Sequence, residues 1–117
     1  MGHAFRAQDV DLGPARVREM HERGDIQLID VREPYEHETS RIAGARHIAL
    51  ERLAAQAPTI DRERPVVFYC RLGARSGMAA QAFRRSGYEA WSLVGGLEAW
   101  DAQGLPLDSP GAPVADH

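Results

Sequence analysis

Short, almost wholly apolar runs recur along this chain, separated by segments with the spacing of amphipathic helices. The three clearest runs are QLIDV (27–31), PVVFY (65–69) and AWSLV (90–94). A strand that is apolar at nearly every position must be covered on both faces, as strands of a parallel sheet are. Shorter runs predict a fourth strand over 46–49 and a fifth near Val10.

Segments with helical spacing fill the intervals between these runs. The predicted helices cover 14–23, 50–57, the stretch from about Ser76 to a stop at Gly87, and 96–104. A strand followed by a helix therefore recurs four times along the sequence. This alternation indicates an α/β domain, with a mostly parallel central sheet of about five strands and helices on both faces.

Length and charge restrict the class of protein further. The chain has 117 residues, the usual size of one domain, and we expect a single domain over 1–107 followed by a mobile tail over 108–117. The net charge is −3, without a long run of either sign, so neither nucleic acid nor an anionic membrane is an expected partner. No apolar signal core or membrane-spanning stretch is visible, so a cytoplasmic location is expected. Nothing in the sequence demands more than a monomer or a weak dimer.

The thiol content limits the chemistry that the chain can carry. Cys70 is the only cysteine, which excludes an internal disulfide and a multi-cysteine metal site. The five histidines include no pair at the i, i+4 spacing of a helical zinc site, and the string Glu36-His37-Glu38 is interpreted as a solvated surface turn. We therefore expect no metal and no cofactor. Cys70 is therefore either a small core residue or a reactive thiol.

The position of Cys70 favours a reactive thiol. The thiol directly follows the run PVVFY and directly precedes a predicted helix, at the carboxyl end of a strand, where functional groups of such sheets gather. The start of the helix, together with Arg71 and Arg75, places positive charge beside the sulfur. Gly73 and Gly77 allow the backbone to curl into an anion-binding nest. A lone cysteine is more often core filler, but this combination favours a cradle around a thiolate.

Three separated motifs resemble those of the rhodanese-like sulfurtransferases. CRLGARS (70–76) resembles the C-x-x-G-x-R-S active-site loop of that family, and LIDVREPYEHETSRIAGARHI (28–48) resembles its D-V-R-E-P segment. LVGGLEAWDAQGLPL (93–107) is similar to its closing G-G-x-x-x-W signature. The departures, such as His37 in place of an aromatic residue, concern the rim of the pocket. The resemblance implies a rhodanese-like three-layer α/β/α domain.

The resemblance also implies an activity. Cys70 would take a sulfane sulfur from a small anionic donor, either thiosulfate-like or a thiol persulfide, and pass it to a nucleophilic acceptor. That acceptor would be cyanide in vitro and a thiol, free or on a protein, in the cell. The implied substrate-binding residues are those of the loop: Arg71, Leu72, Gly73, Ala74, Arg75 and Ser76.

The charged residues near the loop receive different roles. Arg71, next to the nucleophile and expected to be exposed, is predicted to steer the anionic donor. For Arg75 we favour a carboxylate partner that braces the loop, with direct contact to the anion as the alternative. Asp30 and Arg32, at the end of a neighbouring strand, are expected to be supports in the form of a buried ion pair.

Two other functions stay open at this point. A persulfide carrier that serves one protein partner would use the same cysteine and loop. A phosphatase or an arsenate reductase would use a Cys-x5-Arg loop, whereas Cys70 and Arg75 here have the spacing Cys-x4-Arg. One residue fewer makes a narrower cradle, which suits a single sulfur atom better than a tetrahedral oxyanion.

Overall fold

A computed structural model describes residues 10–108, and five strands in this part of the chain form one sheet. The strands are β1 (Asp11–Leu12), β2 (Gln27–Asp30), β3 (Arg46–His47), β4 (Val66–Tyr69) and β5 (Ala90–Leu93). Their order across the sheet is β1-β5-β4-β2-β3, and each neighbouring pair runs parallel.

A helix lies in each of the four intervals between these strands, and a fifth helix follows β5. The helices are α1 (Pro14–Glu22), α2 (Pro34–Thr39), α3 (Leu53–Gln56), α4 (Ala74–Arg85) and α5 (Gly96–Ala102). Short 3-10 turns flank α3 on both sides, so the single helix predicted over 50–57 is a composite of 3-10 and α segments. Within the described residues, no helix is long and apolar enough to cross a lipid bilayer.

The sheet is buried on both faces. Side chains of β4 alternate between two apolar clusters, one with Val66 and Phe68 and the other with Val67 and Tyr69. Side chains of α3 and α4 complete the first cluster, and side chains of α1 and α5 complete the second. The predicted three-layer α/β/α architecture is therefore confirmed. Because the strands are parallel, β2, β4 and β5 all end at the same edge of the sheet.

The segment around Glu36 differs from the sequence-based expectation. The string Glu36-His37-Glu38 is not a solvated turn but part of α2, and Glu36 is only 1% exposed. Pro34 suits the first helical position, because its fixed backbone angle is already helical. The Glu33 N–H donates to Glu36 Oε1 at 2.9 Å, which satisfies an amide at the helix start. The prediction was wrong because charge density alone suggested exposure.

The two termini fall outside the described residues. The predicted tail, 108–117, lies there except for Asp108. The Asp108 N–H donates to the Arg41 carbonyl at 2.7 Å, and Arg41 Nε donates to the Asp108 carboxylate at 2.9 Å. The fold therefore includes contacts as far as Asp108.

Candidate active site

The loop that carries Cys70 links β4 to α4 at the carboxyl edge of the sheet. Gly73 has φ +112, a left-handed conformation that favours glycine, and α4 begins at the next residue, Ala74. The helix thus begins two residues earlier than the predicted start at Ser76. Gly77 lies inside α4 without a positive φ, so the expected role of Gly77 in curling the loop was wrong.

Hydrogen-bond donors converge on the sulfur of Cys70, which is 1% exposed. The Gly73 N–H donates to Sγ at 3.0 Å and the Ser76 N–H at 3.4 Å. The Ser76 hydroxyl lies 3.5 Å from Sγ and 2.8 Å from the Ser92 hydroxyl. This arrangement suits a negatively charged sulfur, because backbone donors are already aimed at it.

The start of α5 packs directly against the same loop. The Leu97 N–H donates to the Cys70 carbonyl at 2.8 Å, and the Glu98 N–H donates to the Arg71 carbonyl at 3.1 Å. A Cβ at Gly96 would lie 2.3 Å from the Arg71 carbonyl oxygen and 2.5 Å from that of Cys70. Only glycine permits this approach, so Gly96 allows α5 to hold the loop by its backbone.

Arg75 binds the buried carboxylate of Glu36 on α2. Its Nη1 lies 3.0 Å from Glu36 Oε1 and its Nη2 lies 3.3 Å from Oε2. Burial raises the pKa of Glu36, but the hydrogen bonds from Arg75 and from the Glu33 amide outweigh it, so that pKa lies below its ordinary value. The hydrogen bonds to Glu36 raise the pKa of Arg75. The pair links α4 to α2.

Arg71 has a carboxylate partner too, contrary to the expectation that it is exposed. Its Nη2 lies 2.6 Å from Oε2 of Glu98, and its side chain is 24% exposed against 41% for Glu98. The two pairs differ in their carboxylates, because Glu98 is 41% exposed whereas Glu36 is 1% exposed. Its position follows from the backbone contact between α5 and the loop, which brings Glu98 beside Arg71.

Asp30 and Arg32 form an ion pair whose side chains are both fully buried. Arg32 Nη2 donates to Asp30 Oδ2 at 2.8 Å and to the Ser40 carbonyl at 2.6 Å. His37 Nδ1 lies 2.8 Å from the same Asp30 oxygen. Burial raises the pKa of Asp30, but the hydrogen bonds and charge of Arg32 outweigh it and hold that pKa below its usual range. The pair joins the end of β2 to the segment that contains α2.

A cavity of about 330 Å³ opens beside the sulfur. Residues of α2, its preceding residue and the loop line it: Glu33, Tyr35, Glu36, Cys70, Arg71, Leu72, Ala74 and Arg75. The structure therefore brings most of the predicted loop residues to one cavity, with Gly73 and Ser76 against the sulfur itself. Asp30 and Arg32 are not among the lining residues. Within the described part of the chain, no cluster of three or more His, Cys, Asp or Glu side chains could hold a metal ion.

Sequence reasoning did not identify three residues of this site. Glu36 and Glu98 pair with the two loop arginines, and Ser92 bonds to Ser76. The signal for Ser92 was a lone hydroxyl in the apolar run AWSLV. The signal for Glu98 was its place just after the Gly95-Gly96 turn, where a close approach to another backbone is typical.

Comparisons with known proteins match the chain to one protein family. The family model described as Rhodanese-like domain matches residues 13–103. The uncharacterized protein YqhL of Bacillus subtilis is 47% identical over 75 residues, which cover 63% of this chain and 60% of that protein. Thiosulfate sulfurtransferase GlpE of Coxiella burnetii is 36% identical over 85 residues, which cover 72% of this chain and 79% of that enzyme.

A solved structure supports the fold. The rhodanese-related protein of Thermoplasma volcanium has a TM-score of 0.78 with this chain at 24% identity. The superposition covers 84% of this chain and 96% of that protein. At this identity the likeness concerns the fold alone.

Proposed function

The chain belongs to the rhodanese-like family, and on that premise we propose that it is a sulfurtransferase that carries a sulfane sulfur on Cys70. The observation that carries this proposal is the pair of N–H donors, from Gly73 and Ser76, aimed at Sγ. A group that alternates between a thiolate and a persulfide anion needs such fixed donors in both states. The 36% identity to a protein named thiosulfate sulfurtransferase supports the same activity.

In the first half-reaction, the Cys70 thiolate attacks the outer sulfur of the donor. With thiosulfate, a new S–S bond forms to Cys70 while the bond between the outer sulfur and the sulfonate sulfur breaks. Sulfite leaves with the electron pair of that bond, and the enzyme holds a persulfide anion. No oxidant, reductant or proton is required. This is covalent catalysis, in which one difficult transfer becomes two easier ones.

In the second half-reaction, a nucleophilic acceptor attacks the terminal sulfur of the persulfide. Cyanide forms a bond to that sulfur, the S–S bond to Cys70 breaks, and Sγ leaves as the thiolate. Because the chain has no second cysteine, no internal thiol can accept the sulfur. The acceptor in the cell would therefore be an external thiol, free or on a protein. Ping-pong kinetics are the expected signature.

The surroundings of Cys70 divide this work. The cavity admits the donor and leaves room for the terminal sulfur, and the N–H groups of Gly73 and Ser76 stabilise the anionic states of Sγ. Arg75 is already bound to Glu36, which argues against the alternative of oxyanion binding by Arg75 in a phosphatase-type reaction. We infer that Arg75 braces the loop.

The test is the transfer of sulfur from thiosulfate to cyanide by the wild type and by Cys70→Ser. We expect transfer by the wild type with ping-pong kinetics, and none above the uncatalysed rate in the variant. A circular dichroism melt of both proteins checks that the fold is intact. Residual transfer by a folded Cys70→Ser protein would refute the mechanism. Loading of Cys70 with sulfur without turnover would indicate a carrier, and Cys70-dependent hydrolysis of an aryl phosphate would indicate a phosphatase.

A further inference from the structure

The carboxylate of Glu98 binds Arg71, the residue that directly follows the nucleophile Cys70 in the sequence. Resting on the proposed function, we propose that Glu98 is a specificity-determining residue that acts through Arg71. By pairing with the guanidinium of Arg71, Glu98 neutralises positive charge at the entrance to Cys70. The site then favours persulfides of thiols with apolar substituents over a small dianion such as thiosulfate.

The first support is the way in which Glu98 is held. Its backbone N–H donates to the Arg71 carbonyl at 3.1 Å, and its carboxylate binds Arg71 Nη2 at 2.6 Å. Glu98 thus contacts Arg71 through both its backbone and its side chain. The side chain of Arg71, flexible in itself, is therefore held along α5 rather than left to follow an incoming anion.

The second support is the balance of charge around the cavity. Its lining contains two carboxylates, from Glu33 and Glu36, and two guanidiniums, from Arg71 and Arg75. Both guanidiniums are bound to glutamates, one of which, Glu98, lies outside the lining. Including Glu98, the formal charge around the entrance is one negative unit. A doubly charged donor gains less from such an entrance than from one with an available arginine.

The third support is the apolar character of the rim. Tyr35 and Leu72 line the cavity and are among the exposed large hydrophobic side chains of the described residues. Exposed apolar side chains at the mouth of a cavity match an apolar group on the ligand. The reacting end of a persulfide carries at most one charge, and its organic substituent can cover this rim, whereas thiosulfate has no such substituent.

Alkylation of Cys70 tests the role of charge without any sulfur transfer. Iodoacetate and iodoacetamide react in the same way with a thiolate but differ by one negative charge. We expect Glu98→Gln to raise the ratio of the iodoacetate rate to the iodoacetamide rate about threefold or more at low salt. Glu19→Gln is the matched control, because Glu19 on α1 pairs with Arg23 just after that helix, and both side chains are more than half exposed.

The Arg71→Ala variant shows whether the effect of Glu98 on the alkylation ratio passes through Arg71 or comes from the charge of Glu98 itself. In Arg71→Ala, the additional change Glu98→Gln is expected to have less than half of its effect on the ratio, since no arginine is released. An unchanged ratio in the single variant would overturn the proposal, and so would a full effect without Arg71. Failure of both reagents to modify the native protein would overturn it too, because the cavity would then not be an entrance to Cys70.

Sulfur donors complete the test. With Glu98→Gln, kcat/KM for thiosulfate should rise about threefold relative to kcat/KM for an alkyl persulfide. An equal change for both donors would contradict the assignment of donor preference to Glu98. If neither donor supports transfer by the wild type, the proposed function fails while the alkylation ratios still decide whether Glu98 controls charge at the entrance.

Discussion

The two arginines of the loop make the same type of contact in different surroundings. Arg75 grips Glu36, whose side chain is 1% exposed, and the contact joins α4 to α2. Arg71 grips Glu98, whose side chain is 41% exposed, and here the loop is joined to α5 by backbone hydrogen bonds as well. The first side-chain pair is a structural link, whereas the second stands beside a link that the backbone already makes.

This difference explains why one pair can tune charge while the other cannot. Removing a partner from a buried pair leaves an uncompensated charge in a poorly solvated place, which is costly. Removing a partner from an accessible pair costs little, because water replaces the contact. The pairing of Glu36 with Arg75 is therefore needed for the stability of the fold. Glu98 can change the electrostatics of the entrance without loss of the fold.

The largest expected effect comes from breaking the backbone link on the Arg71 side. Gly96→Ala forces a Cβ to within 2.3 Å of the Arg71 carbonyl oxygen at a residue with φ +62. We expect a loss of about 3 kcal/mol in the free energy of unfolding from overpacking and strain together. Sulfur transfer should fall as well, because the carbonyls of Cys70 and Arg71 must move. Urea unfolding and thiosulfate kinetics measure the two effects.

Gly104→Ala is the control for this change. Gly104 has a similar positive φ, +72, but a Cβ there would meet nothing within 4 Å. It should therefore lose only the cost of the backbone conformation, about 1 kcal/mol. Equal losses for the two variants would show that α5 does not hold the loop through a close approach at Gly96.

The next effect is the loss of the buried pair. Arg75→Ala strands the carboxylate of Glu36, and we expect a loss of about 2 kcal/mol, less than the ~3–5 kcal/mol of a fully buried pair because Arg75 itself is 30% exposed. Thermal melts should show a lower Tm, and kcat should fall because the cradle loosens. A variant that melts like the wild type and loses only donor affinity would reverse the roles of the two arginines.

The pH dependence of stability sharpens the same prediction. The folded-state pKa of Glu36 lies below its ordinary value of about 4.3 because Arg75 and the Glu33 amide outweigh burial. The contribution of the pair is thus present above that ordinary value and is lost as pH falls through the folded-state pKa. Urea unfolding at pH 7 and below pH 4 should show a large difference between wild type and Arg75→Ala that narrows in acid. A constant difference would show that the pair is not the cause.

The smallest effect on stability is expected on the accessible side. Arg71→Ala should change the free energy of unfolding by less than about 1 kcal/mol, since the carboxylate that it leaves behind, Glu98, is 41% exposed and water can solvate it. It removes a positive charge from the lining of the cavity, so the KM for thiosulfate should rise, and the rise should shrink as salt screens the charge. Kinetics at two salt concentrations measure this. A loss of Tm as large as that of Arg75→Ala would erase the contrast between the pairs.

The sheet could be predicted from local sequence because its central strands are almost continuously apolar. The runs at 27–31, 65–69 and 90–94 match β2, β4 and β5 to within one residue at each end. The helix α2 could not be predicted, because its only buried residue is Glu36, whose burial depends on an arginine far along the chain. Hydrophobic periodicity does not contain this information.

The candidate site was predictable only in part for the same reason. The spacing of Cys70, Gly73, Arg75 and Ser76 identified the loop, because those residues are neighbours in sequence. The partners Glu36 and Glu98 and the backbone approach at Gly96 join distant segments, so they required the fold. The sequence therefore pointed to the nucleophile but not to what sets the charge around it.

Intact-mass measurement of the protein after incubation with thiosulfate or an alkyl persulfide tests the central claim most directly. We predict the added mass of one sulfur atom on the wild type, removed by a thiol reductant or by cyanide, and no addition on Cys70→Ser. A folded wild-type protein that gains no sulfur from either donor, or a Cys70→Ser protein that gains the same mass, would contradict the assignment of Cys70 as the sulfur carrier.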